Sequence, residues 1–349
     1  MQNLLLIGGG GFIGSNLAYH LESVRGLTCL VADRDSRKLA LRYGDRPFAF
    51  EKIDIARDKP ALDRLIAEAD GVINLAAEVL PKRFVESPLQ VVQTNLFDTL
   101  DTVERCITHR RPLIHFSTCE VYGKSGGSDQ AFTEDGTDCI LGPIVKQRWI
   151  YANVKQLTDR IIHAHGQNGA LDYVILRPFN FIGPLMDWLY DDAAGDGQAR
   201  VVPSFMADLI FDRPIQLVGG GASRRSFTFI GDAVEAIATV LSNVDEMRNQ
   251  IVNIGNPSNE TTIRDLALLM RDLYRDQFGG AWRAELQEVS GQDFYGPGYE
   301  DCDRRIPDIA KLSGLGWAPR HGLEETLRQT MAYFIDNKAA LTRSAAPVA

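Results

Sequence analysis

The stretch Leu5-Leu6-Ile7-Gly8-Gly9-Gly10-Gly11-Phe12-Ile13-Gly14-Ser15-Asn16-Leu17-Ala18-Tyr19-His20-Leu21 joins an apolar run, a glycine turn and a helical pattern. Within it Gly8, Gly11 and Gly14 form G-x-x-G-x-x-G. The first permits a tight turn, and the second lets backbone N–H groups approach a pyrophosphate. The third lets helix pack on strand while the helix N-terminus faces the anion. Asp33 closes the next apolar run, 19 residues beyond Gly14, where a carboxylate accepts hydrogen bonds from an adenosine ribose and repels a 2′-phosphate. NAD is therefore expected rather than NADP, with Arg34 and Arg37 the neighbours that would serve a phosphate instead.

Outward from this unit, Leu4–Ile7, Thr28–Ala32, Phe48–Ile53, Val72–Leu75, Leu113–Phe116 and Tyr173–Leu176 read as buried strands. Residues 12–24, 60–68, 88–109, 145–166 and 203–212 read as helices. That alternation predicts an α/β fold, a Rossmann-type doubly wound parallel sheet with helices on both faces. Ligands of such a sheet bind beyond the strand C-termini, which brings in Asp54, Ile55, Leu75, Ala76 and Ala77. After Pro178 the pattern loosens. Residues 183–200 and 290–307, rich in Gly, Pro, Asp and Tyr, read as long functional loops. Helices near 232–242, 262–276 and 324–337 and a strand at Ile251–Ile254 follow. The expected division is an NAD-binding domain over 1–180 to which 226–255 return, and a smaller C-terminal α/β substrate-binding lobe from 181–225 and 256–340. Residues 341–349 are expected to be a frayed tail.

Composition narrows the function. The 349 residues are 45% hydrophobic and 24% charged, which excludes a disordered chain or a small disulfide scaffold. Lys and Arg number 37 against 46 Asp and Glu, a net charge of −9, so neither nucleic acid nor an anionic membrane surface is an expected partner. Cys29, Cys106, Cys119, Cys139 and Cys302 are scattered without a C-x-x-C pair. That points to a reducing cytoplasm and to no structural metal. No apolar run approaches the roughly 18 residues of a membrane helix, and the start of the chain lacks a basic export signal.

Tyr151-Ala152-Asn153-Val154-Lys155 supplies the chemistry. Spacing of i to i+4 on a helix sets phenol and ammonium on one face, where the ammonium is expected to draw the Tyr pKa down from about 10 toward that of a working general base. Ser117-Thr118 ends the fifth strand, where a hydroxyl bridges Tyr151 and substrate.

With these motifs in place the sequence resembles the extended short-chain dehydrogenase/reductases that act on nucleotide sugars. Within them it most resembles the UDP-glucuronate decarboxylating group: the UDP-apiose/UDP-xylose synthases, and next the decarboxylase domain of the bifunctional polymyxin-resistance protein. The shared runs are Ser117-Thr118-Cys119-Glu120-Val121-Tyr122-Gly123, Gly142 through Tyr151, Arg177-Pro178-Phe179-Asn180, Asn253-Ile254-Gly255-Asn256-Pro257, and Tyr299 through Arg305-Ile306-Pro307.

The resemblance implies Thr118, Tyr151 and Lys155 as the oxidation machinery, and Gly8, Gly11, Phe12, Ile13, Gly14, Asp33, Asp54, Ile55, Leu75, Ala76, Ala77, Asn95 and Pro178 as further NAD contacts. It implies Arg148, Asn180, Arg225, Tyr299 and Arg305 as UDP-sugar contacts. Arg305 is expected to act at the substrate carboxylate and Glu120 to assist proton transfer. Cys119 and Cys139 are expected in ring opening and contraction toward UDP-apiose, unless Cys119 is a small buried filler and Cys139 a loop residue. Arg177 fits a structural ion pair equally well. UDP-xylose, UDP-apiose and a released UDP-4-keto-pentose stay open as products. A C4-epimerase, a dehydratase and a non-catalytic NAD-binding regulator are the other classes. A homodimer formed by helices 88–109 and 145–166 is implied as well.

Overall fold

In a computed structural model, seven strands form one parallel sheet: β1 (Asn3–Ile7), β2 (Thr28–Asp33), β3 (Ala49–Lys52), β4 (Gly71–Asn74), β5 (Leu113–Phe116), β6 (Tyr173–Pro178) and β7 (Gln250–Ile254). The structure describes residues 1–126, 130–191 and 199–343. Their order is β7-β6-β5-β4-β1-β2-β3, so the crossover from β3 to β4 passes over β1 and β2 and opens a crevice beside β1. Every pairing is parallel, with Leu6 beside Val31 on one side and Ile73 on the other.

The strands alternate between two cores. Leu4 and Leu6 face one side with Leu17, Leu21, Val31 and Ile237. Leu5 and Ile7 face the other with Leu62, Leu65, Val103 and Ile162. Burial on both faces explains why the strands read as continuous apolar runs. The first core lies under helices α1 (Phe12–Val24) and α5 (Ile230–Ser242). The second lies under α2 (Lys59–Glu68), α3 (Asp98–Thr108) and α4 (Ile150–Gln167).

The helix read over 88–109 is three pieces, Pro88–Val92, a π-helical turn Gln93–Phe97, and α3. The helix read over 145–166 begins only at Ile150, after a short helical turn Gln147–Trp149, because Pro143 and the exposed Ile144 and Val145 precede it. The supposed loop 290–307 contains a helix, Gly291–Tyr295, and a strand, Arg304–Arg305. In the supposed loop 183–200, Leu189–Tyr190 pairs with Thr342–Arg343. The tail therefore begins as a strand rather than a frayed end, and residues 344–349 and 192–198 lie outside the described residues.

Beyond the sheet, Arg224–Ser226 pairs antiparallel with Glu260–Thr262 and parallel with Arg304–Arg305. The register sets Arg225 beside Arg305, two arginines that are 80 positions apart in the chain. Among the described residues no helix is long and apolar enough to cross a membrane, and no group of three or more His, Cys, Asp or Glu is placed to hold a metal ion.

Candidate active site

A cleft of about 1280 Å³ runs along the C-terminal ends of β1, β2, β4, β5 and β6 and on to the small three-stranded sheet. At one end lies the glycine turn. Gly8 has φ +73°, and a Cβ there would sit 2.5 Å from the Ala76 backbone nitrogen; a Cβ on Gly14 would sit 2.4 Å from the Gly9 Cα. Gly11 caps α1 without a side-chain hydrogen bond, and no acidic residue stands in the first turn. The first N–H groups of α1 thus face the cleft free for an anion.

The Asp33 carboxylate is fixed by backbone N–H donors from Gly10 at 2.9 Å, Arg34 at 2.6 Å and Asp35 at 3.2 Å. Its remaining lone-pair capacity faces the cleft for a ribose hydroxyl. Arg37, one of two candidates to hold a 2′-phosphate, is committed to the Asp35 carboxylate at 2.6 Å. This cradle fits NAD. Phe12, Ile13, Asp54, Ile55, Leu75, Ala76, Ala77 and Pro178 line the same cleft, as does Lys38, which sequence reasoning passed over. Asn95 does not. It is fully buried in the π-helical turn, its amide nitrogen donating to the carbonyls of Glu78 at 3.1 Å and Val91 at 3.0 Å, while its Oδ1 has no hydrogen-bond partner among the described residues.

Midway along the cleft stand Thr118, Tyr151 and Lys155. Tyr151 is buried, and its ring stacks on Phe84 with centroids 4.4 Å apart and planes 6° from parallel. Lys155 Nζ donates to the Phe116 carbonyl at 3.0 Å. Burial lowers the Lys155 pKa to about 8, against the opposing charge of Asp159. The expected depression of the Tyr151 pKa is not what the folded chain produces. Burial drives the phenol above its ordinary value, followed by the nearby Glu120 charge, and the hydrogen bond with Thr118 opposes them only in part. Without further positive charge the phenol is held neutral.

Beyond Tyr151 five charged side chains converge. Glu120 Oε1 accepts from Arg148 Nη2 and from Arg305 Nη1, both at 2.8 Å, and Oε2 lies 2.5 Å from Arg148 Nη1. Asp301 Oδ1 accepts from Arg225 Nη2 at 2.7 Å and lies 3.9 Å from both Arg148 and Arg305. Burial opposes ionisation of Glu120, and the guanidiniums of Arg148 and Arg305 outweigh it, holding the carboxyl at about 2. A carboxylate so held is ionised near neutrality: it has no proton to give, and its part in proton transfer can only be that of an acceptor. Three cations against two anions leave one unit of positive charge. The Nε and Nη2 atoms of Arg305, although buried, have no hydrogen-bond acceptor among the described residues.

Asp301 escaped the sequence reading although it lies between Tyr299 and Arg305; a lone acid in a loop carries no periodic signal. Tyr299 lines the cleft stacked on Tyr295, centroids 4.3 Å apart, a pair only their i, i+4 spacing hinted at. Asn180 lines the cleft at φ +38°, its amide donating to the Ser226 carbonyl at 3.1 Å. A non-glycine residue held at positive φ is costly and recurs at binding sites.

The two thiols part company. Cys119 lines the cleft with its pKa raised by burial. Cys139 does not reach the cleft, because Ile140 bridges Gly123 and packs Cys139 against Val121, Tyr122, Phe132 and Phe179 behind Cys119. Arg177 is the structural alternative, paired with Asp159 at 3.1 Å.

Residues 4–255 match the model of the family described as NAD dependent epimerase/dehydratase. UDP-D-apiose/UDP-D-xylose synthase 1 of Arabidopsis thaliana is 40% identical over 352 residues, covering 95% of this chain and 90% of that protein. The crystal structure of the PbgP3 protein from Burkholderia pseudomallei superposes with a TM-score of 0.84 at 29% identity, covering 97% of this chain and 98% of the other. UDP-glucose 4-epimerase of Thermus thermophilus, solved as a complex with NAD, gives 0.77 at 26% identity, with 95% and 99% covered.

Proposed function

The chain belongs to the NAD-dependent epimerase/dehydratase family, and from that premise we propose that it oxidises UDP-glucuronate at C4, releases CO2, and returns hydrogen to give UDP-xylose, UDP-apiose or both. The observation that carries this reading is the buried Arg148–Glu120–Arg305 cluster beside Tyr151. A sugar epimerase acting on neutral hexoses has no use for a guanidinium with open donors at that point. A non-catalytic regulator has no use for the Thr118–Tyr151–Lys155 set.

Gly8, Gly11, Phe12, Ile13, Gly14 and Asp33 hold the pyrophosphate and adenosine half of NAD, and Lys155 and Pro178 flank its other half. When bound, NAD accepts the hydrogen removed from C4. Tyr151 takes the C4 hydroxyl proton, with Thr118 aligning the phenol and Lys155 supplying the local positive charge. The resulting 4-keto acid has its carboxylate β to the ketone. The bond to that carboxylate breaks, CO2 departs, and the electron pair moves to the C4 oxygen. Arg305 orients the carboxylate through its open Nε and Nη2, the protonated Tyr151 hydrogen-bonds to the C4 oxygen, and a proton taken up from solvent forms the new C5–H bond as the C4 ketone is restored. Glu120 fixes Arg305 and Arg148. Arg225, Tyr299 and Asn180 meet the UDP part, since a planar guanidinium suits a diphosphate. The nucleotide-sugar lobe comprises 181–225 and 256–340. The free cysteines, four of them buried, accord with a reducing cytoplasm.

Incubation of the purified protein with UDP-glucuronate is expected to yield CO2 and a UDP-pentose by NMR and mass spectrometry. Absence of CO2 sinks the reading. A free 4-keto-pentose with stoichiometric NADH selects decarboxylation without return of hydrogen, and conversion of UDP-glucose or UDP-galactose without CO2 selects an epimerase. With one thiol in the cleft, Cys119→Ser is expected to lower the apiose-to-xylose ratio while Cys139→Ala leaves it unchanged; equal shifts argue against a role for Cys119.

We also propose a homodimer through helices Pro88–Thr108 and α4. Leu89, Phe97 and Leu157 stand 80%, 56% and 43% exposed on those helices, apolar surface a second copy would cover. Light scattering is expected to give a dimer for the wild type and a monomer for Leu157→Glu. A monomeric wild type rejects this.

A further inference from the structure

The short helix Pro81–Glu86 is absent from the mechanism above, yet it touches the reacting tyrosine. Its Phe84 is 1% exposed and lies flat on the Tyr151 ring, 4.4 Å between centroids and 6° between planes. Phe84 shares a small core with Val91, Leu96 and Val154, separate from the two cores of the sheet. The other sides of this helix pack against the turn Gln147–Trp149, which carries Arg148, and against the helix Gly291–Tyr295. Val85 abuts Gly296, one residue past Tyr295. Tyr295 in turn stacks on Tyr299. One continuous packed path thus joins the aromatic pair of the nucleotide-sugar lobe to the phenol that moves the proton.

We propose that Phe84 is a positioning residue: it fixes the plane of the Tyr151 ring, and through the helix Pro81–Glu86 it ties that plane to the seating of Tyr295 and Tyr299. A phenol free to turn about its χ angles meets the C4 hydroxyl in only a fraction of its orientations; a flat aromatic neighbour removes that freedom on one face. The neighbour also acts electrically. A parallel ring presents its negative face to the phenolate and excludes water from it, so Phe84 disfavours ionisation of Tyr151. This inference rests on Tyr151 being the base of the proposed reaction, and its test is split so that the two ideas fail separately.

With Tyr residues carrying 13C at Cζ, the Tyr151 resonance, assigned by its loss in Tyr151→Phe, is titrated in the wild type and in Phe84→Leu with no substrate present. The Phe84→Leu titration is expected at lower pH. In turnover of UDP-glucuronate, Phe84→Leu is expected to lower kcat about 10- to 100-fold with KM changed less than about twofold, and to move the acid limb of the kcat profile to lower pH. Phe84→Tyr, which keeps the flat ring, is expected to restore kcat to within about threefold of wild type. An unchanged Tyr151 titration, an unchanged kcat in Phe84→Leu, or a Phe84→Tyr variant as slow as Phe84→Leu each overturns the proposal. A wild-type protein inert toward UDP-glucuronate overturns the proposed function, and the titration then decides the placement of Phe84 alone.

Discussion

Tyr151→Phe is expected to reduce turnover of UDP-glucuronate by about 10²–10⁴-fold while leaving substrate KM and NAD affinity within about twofold. The substitution removes one oxygen from a ring whose packing on Phe84 and whose helix are otherwise retained, so the loss reports proton transfer and not folding. The oxygen works against its surroundings. Burial holds the phenol in its protonated form, opposed only in part by Thr118 and Arg148, and Lys155, one helical turn on, is itself lowered to about 8 by desolvation and spends one hydrogen bond on the Phe116 carbonyl. Calorimetry for binding and stopped-flow absorbance for oxidation at C4 separate the two quantities. Retention of more than about a tenth of wild-type turnover removes Tyr151 from the role of base.

The second large effect concerns Glu120. Glu120→Ala strands Arg148 and Arg305, 2% and 3% exposed, without their shared carboxylate. Removing one partner of a buried ion pair costs about 3–5 kcal/mol, and here CO2 release is expected to vanish as Arg305 loses its orientation. The pH dependence has a definite sign. The Glu120 carboxyl is ordinarily near 4.5 and is held at about 2 in the fold, so the native state binds its proton less tightly than the unfolded chain. The corresponding stabilisation, on the order of 3 kcal/mol, is present above about pH 5 and is lost as pH falls from there toward 2. Chemical denaturation of wild type and Glu120→Ala is expected to show its largest gap at pH 7 and a much smaller one at pH 3. A gap independent of pH means that the carboxylate charge is not what holds the arginines.

Sequence and structure part at recognisable places. Gly8, Asp33, Tyr151 and Lys155 were legible because each signal is local: a glycine spacing after an apolar run, an acid at a strand end, two residues one helical turn apart. Arg148, Arg225 and Arg305 were reached through resemblance, and the fold places all three in the cleft. Asn95 and Cys139 stand outside the lining of the cleft. Both are near the site in sequence, but a π-helical turn draws the Asn95 amide inward onto the Glu78 and Val91 carbonyls, and the Ile140 bridge to Gly123 turns Cys139 into the wall. Asp301 and Phe84 carried no local signal because Arg225, which pairs with Asp301, and Tyr151, on which Phe84 stacks, are distant in the chain.

What the residues of this chain determine on their own is the parallel sheet, the dinucleotide cradle at its C-terminal edge and the tyrosine–lysine pair, since apolar periodicity and short spacings are enforced within one turn or one strand. Charge and neighbourhood were left to the tertiary fold. The pairing of Arg224–Ser226 with Arg304–Arg305 brings Arg225 beside Arg305, and Asp301 then lies between them and Arg148. That register keeps Glu120 ionised between two arginines, and the separate packing of Tyr151 among Phe84, Leu96 and Val154 sets its phenol against its own ionisation. Such effects follow from the dielectric and the distances between groups far apart in the chain, which no local pattern of residues encodes.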